Sequence, residues 1–202
     1  SSNNGDPLGI IQGQPSNNYS ALVTPASFSD LKYFGSGRPT SFGSIRNDLS
    51  WGRFAFSFNI VYEWGFYFRR SSVAYNTHYS SMLQYGNLVH GDYMMRWQKP
   101  GDEKNTQVPS RVYPAVPARD EFYQYAEVLV ENGNHIRLRD TRLSYDLPVH
   151  KWQNKIIKRA QLYGYINNIG IIWRANQQGI DPNHVTGNPT PRSYALGINV
   201  DF

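Results

Sequence analysis

An unbroken alternation of side chains between Phe54 and Phe68 constrains the fold of this chain more than any other feature. Every even position in this stretch of about fifteen residues is large and apolar, whereas the odd positions are mostly small or polar. A period of two predicts an extended strand with one apolar and one polar face. A strand that crosses a bilayer in a β-barrel needs ~9–11 residues, and many other strands have only ~5–6. The segment therefore favours a barrel strand that faces lipid on one side.

The last eleven residues, Arg192 to Phe202, repeat the same pattern. Their apolar face carries Tyr194, Leu196, Ile198, Val200 and Phe202. A final strand that ends on an aromatic residue is the usual ending of a bacterial outer-membrane β-barrel, in which the apolar face meets lipid and the polar face meets the lumen. We expect the same arrangement here.

Composition excludes several other classes of protein. The mean hydropathy is -0.57, and no apolar run approaches the roughly 18 residues that a membrane-spanning helix needs. Aromatic residues make up 15% of the chain, as expected where aromatic girdles lie at both membrane interfaces. The absence of cysteine excludes a disulfide framework and a thiol nucleophile. The net charge of +5 is compatible with a solvated basic surface, anionic lipid or nucleic acid.

The remaining strands have weaker patterns. The sequence predicts five strands in all, at about 40–51, 54–68, 135–147, 161–173 and 192–202. In the third strand the apolar phase changes, and a bulge near Asp140 would reconcile the two halves. The fourth strand has two competing phases. Gly52 allows a tight turn between the first two strands.

Long and short connections alternate along the chain, as in outer-membrane barrels with short periplasmic turns and long extracellular loops. We therefore expect an extracellular loop at 1–39, a strand hairpin at 40–70, a long extracellular loop at 71–134 and the last three strands at 135–202. Phe202 would lie on the periplasmic side. Five strands cannot close a barrel, and an open edge in lipid is costly. The chain is therefore expected to be the C-terminal portion of a larger barrel, without a plug domain.

Several stretches resemble the SusC-like (SusC/RagA) family of TonB-dependent outer-membrane transporters, in the family's order and spacing. They are YFGSGRPTSFGSIRNDLSW (Tyr33 to Trp51), MRWQKPGD (Met95 to Asp102), HIRLRDTRLSYDLP (His135 to Pro148), GIDP (Gly179 to Pro182) and PRSYALGINVDF (Pro191 to Phe202). The resemblance implies five strands of a 22-stranded plugged barrel. It also implies a SusD-like lipoprotein lid, a glycan or peptide cargo, and energy supplied by TonB through a plug that this chain lacks.

No catalytic constellation is present in the sequence, so we expect neither an enzyme nor a metal or other cofactor. The five histidines form no HExxH motif, and neither GxSxG nor a P-loop occurs. The basic run from His150 to Arg159 is read as a solvated turn, and no nucleic-acid partner is expected because no RNP-like or helix-turn-helix pattern accompanies it.

The candidate functional residues form three groups. Side chains expected to face the lumen, as a cargo path, as plug contacts or simply as polar wall, are Asn59, Glu63, Tyr67 and Arg69. Aromatic residues that could contact cargo or the lid, or fill a small core of their own loop, are Tyr75, Tyr79, Tyr85 and Trp97. Aromatic residues expected at the membrane interfaces are Trp51, Phe54, Trp64, Phe66, Trp152 and Phe202.

The leading interpretation is an all-β, antiparallel transmembrane barrel segment in the outer membrane of a Gram-negative bacterium. Its partners would be lipid, the rest of the barrel and plug in the same or a separate chain, and the lid. One alternative is a soluble β-sandwich that binds carbohydrate, and a second is a basic, aromatic-rich nucleic-acid binder.

Overall fold

The computed structural model describes residues 4–76, 90–149 and 156–202, and most of its regular structure is β-strand. The strands are β1 (Gly9–Ile11), β2 (Gln14–Ser16), β3 (Ser41–Trp51), β4 (Phe54–Trp64), β5 (Tyr67–Arg69), β6 (Val130–Asn132), β7 (His135–Asp146), β8 (Arg159–Arg174) and β9 (Ser193–Asp201). The α-helices described over their full length are α1 (Tyr19–Val23) and α2 (Pro117–Tyr125), and short 3-10 helices span Phe28–Asp30, Gly91–Met95, Asp102–Lys104 and Glu127–Leu129. In the described part of the chain, no helix is long and apolar enough to cross a bilayer.

Five long strands form one open antiparallel sheet in the order β3-β4-β7-β8-β9. They lie where the alternation of side chains predicts them. The hairpin between β3 and β4 is tight, with Trp51 paired to Phe54. Gly52 has a φ of 62°, which is the left-handed region that tight hairpin turns with glycine at the first central position require.

The second strand is shorter than the alternation predicts. β4 ends at Trp64, and Gly65 turns the chain with a φ of 75°. The Gly65 N–H leaves the sheet ladder and donates a 2.7 Å hydrogen bond to Asn134 Oδ1. The prediction of one continuous strand to Phe68 is therefore wrong, because a glycine in the left-handed region breaks the extended backbone.

The bulge predicted near Asp140 is confirmed. β7 shifts its register against β4 where Asn59 pairs with Asp140 and Ile60 pairs with Leu138. β8 shifts against β7 twice, near Asp140 and near Ile136. These two shifts explain the competing phases in the sequence of the fourth strand, because each bulge moves the apolar set from odd to even positions or back.

The chain divides into two compact units. The sheet unit comprises residues 35–68 and 132–202, and the loop unit comprises residues 1–34 and 69–131. The loop unit has a small apolar core of Val73, Tyr75, Val108, Tyr123 and Leu129. The segments predicted as loops at 1–39 and 71–134 therefore contain helices, short strands and part of a core.

Candidate functional site

The sheet unit exposes its apolar face and buries much of its polar face. The exposed fraction is 87% for Leu196 and 86% for Trp51, but 0% for His135 and 6% for Asp140. In a protein surrounded by water the usual arrangement is the reverse, with apolar side chains inside and charged ones outside. An exposed, continuous apolar face of this kind marks a contact with lipid or with another apolar surface.

Aromatic residues mark both ends of the apolar face. At one end the Phe54 and Tyr145 rings lie 4.7 Å apart, and at the other end Trp64 stacks on Trp173 at 5.3 Å. The ten residue-to-residue steps from Phe54 to Trp64, at a rise of ~3.3 Å and a tilt of ~45°, span roughly 23 Å along a membrane normal. This height is close to the ~25 Å apolar band of outer-membrane barrels.

Among the remaining predicted interface aromatics, Phe66 differs from this pattern. Phe202 is 71% exposed at the end of the chain, whereas Phe66 is only 4% exposed. The Phe66 ring packs edge-on against His135, with 6.1 Å between ring centroids. Phe66 therefore contacts protein in the sheet unit rather than an outer surface. Trp152 lies outside the described residues.

Side chains of neighbouring strands contact one another on the polar face of the sheet. Asn59 Nδ2 donates a 3.2 Å hydrogen bond to Asp140 Oδ2, and Arg46 lies 4.0 Å from the same carboxylate. Arg142 lies over the Tyr163 ring at 4.6 Å. Asn59, which the sequence predicts to face a lumen, is thus a member of this polar face.

A cleft of about 600 Å³ lies on the polar face, lined by strand residues and by the loop between β8 and β9. Arg137 donates two hydrogen bonds, of 2.6 and 2.7 Å, to the Asp181 carboxylate of that loop. Asn183 Nδ2 donates a longer bond of 3.4 Å to Glu63 Oε1. These two contacts hold the loop against the polar face, and Glu63, a predicted lumen residue, lines the cleft.

Two opposing influences act on the Asp181 carboxyl. Burial favours its neutral form, but the hydrogen bonds from Arg137 and from the Asn183 backbone outweigh burial and lower the pKa of Asp181 below its usual value. Asp181 therefore remains a carboxylate paired with Arg137. The sequence places Asp181 in the GIDP motif but gives no signal that Arg137, 44 positions earlier, is its partner.

The other two predicted lumen residues lie beyond the end of β4. Tyr67 and Arg69 belong to the short strand β5, and the Tyr67 N–H donates a 2.9 Å hydrogen bond to the Ser36 carbonyl. The Arg69 guanidinium lies 4.9 Å from the centre of the Tyr125 ring. Neither residue belongs to β4, the strand that carries Asn59 and Glu63.

The predicted loop aromatics occupy different environments. Tyr75 is 3% exposed in the core of the loop unit and donates a 2.7 Å hydrogen bond to the Pro109 carbonyl, and burial raises its pKa. Trp97 is half-buried, and its indole N–H donates a 3.0 Å bond to Glu103 that lowers the pKa of this carboxyl. Tyr79 and Tyr85 lie outside the described residues. Tyr75 is thus a packing residue of the loop unit's own core.

A buried charge network in the loop unit has no signature in the sequence. Arg70 contacts Asp92 at 2.5 Å, Ser72 donates to the same carboxylate, and Ser72 also lies 2.9 Å from the Tyr123 hydroxyl. Burial acts to raise the pKa of Asp92, but the Ser72 and Arg70 hydrogen bonds lower it overall. In the residues that the structure describes, no group of three or more His, Asp or Glu side chains is placed to hold a metal ion.

Comparisons with known proteins were made by family model, by sequence and by structure. No family model matches the chain. The TonB-dependent receptor P26 of Formosa agariphila is 35% identical over 89 residues, an alignment that covers 36% of this chain and 9% of the receptor.

Solved structures of the RagAB complex have a similar fold. A structure of the RagAB peptide transporter matches 98% of this chain with a TM-score of 0.66 and 22% identity. The RagAB peptide importer in its open-open state gives a TM-score of 0.65, again over 98% of this chain, and its closed-closed state gives 0.62 over 96%. The chain spans about a fifth of the length of these structures' matching chains and 9% of the receptor. Both comparisons agree with the resemblance that the sequence motifs carry.

Proposed function

We propose that this SusC/RagA-like fragment forms five strands of the barrel wall, with adjoining extracellular loops, of a TonB-dependent outer-membrane importer. The observation that carries the proposal is the inverted sheet, with Leu196 and Trp51 exposed on the apolar face and His135 buried on the polar face. The apolar face would contact lipid, and the polar face would line the plugged lumen of a 22-stranded barrel. The function is transport rather than catalysis.

The remaining parts of the importer would come from outside this chain. The edge strands β3 and β9 would pair with further barrel strands, since an unpaired strand edge is costly in lipid. A plug would connect the barrel to TonB, and a SusD-like lipoprotein would cover the extracellular mouth. The cargo would be a glycan or a peptide, and the name of the RagAB peptide importer supports the second of these. The membrane would be the outer membrane of a Gram-negative bacterium.

Two neighbouring positions on β9 give a direct test. Leu196 lies on the apolar face and Ala195 on the polar face, and both are exposed. The chain contains no native cysteine, so Leu196→Cys and Ala195→Cys can each carry one spin label in the full-length protein, once any cysteines elsewhere in it are replaced. We expect relaxation of the Leu196→Cys label by lipid-soluble oxygen and relaxation of the Ala195→Cys label by a water-soluble nickel chelate.

The same measurement separates the proposal from its rival. In a soluble β-sandwich that binds carbohydrate, the label at position 196 would pack against a second sheet or face water. A label at 196 that the aqueous chelate relaxes as strongly as the one at 195 would contradict the barrel proposal. Release of the native protein from membranes without detergent would do the same.

A further inference from the structure

The cleft on the polar face lies where β-bulges interrupt two neighbouring strands. On β7 the extra residue is Arg139, which lies between Leu138 and Asp140 and has no paired residue on β4. On β8 the irregularity includes Asn168, whose φ of 56° is in the left-handed region. Arg139 and Asn168 both line the cleft. Bulges are over-represented next to functional sites, where they direct a side chain that a regular ladder would not present.

Arg139 is the unpaired cation of this cleft. Its side chain is exposed and has no hydrogen-bond or ion-pair partner within the described ranges. By contrast, Arg137 is 9% exposed and is neutralised by its two hydrogen bonds to Asp181. Arg137 Nε is nevertheless buried without a hydrogen-bond partner in the same ranges. Among the residues that the structure describes, the exposed guanidinium of the cleft without a protein partner is thus that of Arg139.

The loop side of the cleft is held in place. The Asn168 side chain donates hydrogen bonds to the carbonyls of Thr190 and Pro191. Asn176 and Ile180 exchange two hydrogen bonds of 3.0 and 3.1 Å across the start of the loop. A cleft with fixed walls loses little conformational entropy when a ligand enters, which favours binding.

We propose that this cleft binds a carboxylate group of a solute, with the Arg139 guanidinium as its principal contact. The proposal rests on the proposed function, in which the polar face lines the lumen. A guanidinium presents parallel N–H donors that match the two oxygens of a carboxylate, and such charge-assisted bonds are the stronger ones.

Glu63 restricts which carboxylates fit. It lines the same cleft and accepts one long hydrogen bond from Asn183. Its negative charge disfavours a simple carboxylate and favours a ligand that also carries hydrogen-bond donors, such as an ammonium or hydroxyl groups. Both a short peptide and a uronic-acid oligosaccharide carry this combination of groups.

The test compares acids with their uncharged derivatives. Calorimetry on the detergent-solubilised full-length protein would use trialanine and its C-terminal amide as one pair, and digalacturonate and its methyl ester as the other. We expect one acid to bind at least about tenfold more tightly than its neutral derivative, because a charge-assisted contact is lost in the derivative. The pair that shows the preference identifies the source of the carboxylate.

Variants then assign the preference to Arg139. Arg139→Gln should reduce the ratio of the two affinities to about one, since it removes the charge and leaves an uncharged polar side chain. Arg46→Gln is the matched control, because Arg46 lies on the same face but outside the cleft, and it should leave the ratio unchanged. Hydrogen exchange of β7 in both variants would verify that the sheet is intact.

Two results would overturn the carboxylate site. One is an affinity ratio near one for both pairs with the unsubstituted protein, and the other is an unchanged ratio in Arg139→Gln. Either result is compatible with a spin label at position 196 in lipid, so the site can fail while the barrel proposal stands. A label at 196 in water would instead reject the barrel, whatever the affinities.

Discussion

The loop unit and the sheet unit bury opposite kinds of side chain. In the loop unit, Val73 and Leu129 are each 1% exposed within a small apolar core. In the sheet unit, His135 is fully buried whereas Leu196 and Trp51 are among the most exposed residues. The loop unit therefore follows the rule for a protein in water, and the sheet unit follows the rule for a wall with lipid outside and polar groups inside.

The comparison shows that amphipathicity alone does not say which face is buried. The sheet unit and the loop unit both separate apolar from polar side chains, yet apolar side chains are exposed in the first and buried in the second. In the loop unit the buried charges are paired, as Arg119 is with Asp6 at 2.8 Å. Burial of charge there depends on the partner, because an unpaired charge in an apolar region is strongly disfavoured.

Removing one partner of a buried ion pair should have the largest effect on the loop unit. The side chains of Arg70 and Asp92 are 11% and 10% exposed, so Arg70→Leu leaves the Asp92 carboxylate buried without its cation. We expect a loss of ~3–5 kcal/mol in the stability of the loop unit. Hydrogen exchange of the amides of α2 in the full-length protein would measure it.

A double variant provides the control for this substitution. Arg70→Leu combined with Asp92→Leu removes both charges and should restore part of the lost stability, since an apolar pair often replaces an ion pair without cost but Glu131, 3.9 Å from Arg70, stays charged. A loss below about 1 kcal/mol in Arg70→Leu alone would show that the pair is effectively solvated. The two units would then differ less in how they bury charge than the exposed fractions of Arg70 and Asp92 indicate.

The same Leu→Ala substitution in each unit tests the comparison directly. Leu129→Ala should destabilise the loop unit by ~2–5 kcal/mol, because it leaves a cavity in a packed core. Leu196→Ala should change local opening of β9 by less than about 1 kcal/mol with the protein in a bilayer, because lipid chains fill the space. Hydrogen exchange of both units in one sample measures the two effects. Equal losses would mean that Leu196 packs against protein.

The strands could be predicted because each is encoded by a local alternation of apolar and polar side chains. The bulge near Asp140 was also predictable, since the apolar positions change from even to odd within one strand. The end of β4 before Gly65 could not be predicted, because the alternation of side chains continues past this residue. Only the backbone φ of Gly65 shows that the strand ends at Trp64. The sequence supports a continuous pattern there, whereas the structure contains a break.

The cleft and the charge network could not be predicted because their contacts are distant in sequence. Arg137 meets Asp181 across 44 positions, and Arg70 meets Asp92 across 22. No local pattern encodes either pair. Tyr75 illustrates the same limit, because an aromatic residue in a long loop can contact a ligand or fill a core, and only its 3% exposure places it in the core.

Acidification should produce the smallest effect, confined to the loop unit. Because the pKa of Asp92 is lower in the folded protein than its usual 3.8, its stabilising contribution is complete above that pH and is lost as the pH falls through the folded value. Asp120 opposes this loss, since burial raises its folded pKa and its protonation on acidification relieves a penalty. The net loss should be smaller than that of Arg70→Leu, because protonation leaves both side chains in place.

Hydrogen exchange of α2 between pH 6 and pH 3, corrected for intrinsic rates, measures this effect. Local opening should increase only at the acid end, and Asp92→Asn should flatten this dependence. An unchanged pH profile in Asp92→Asn would assign the acid sensitivity to another group.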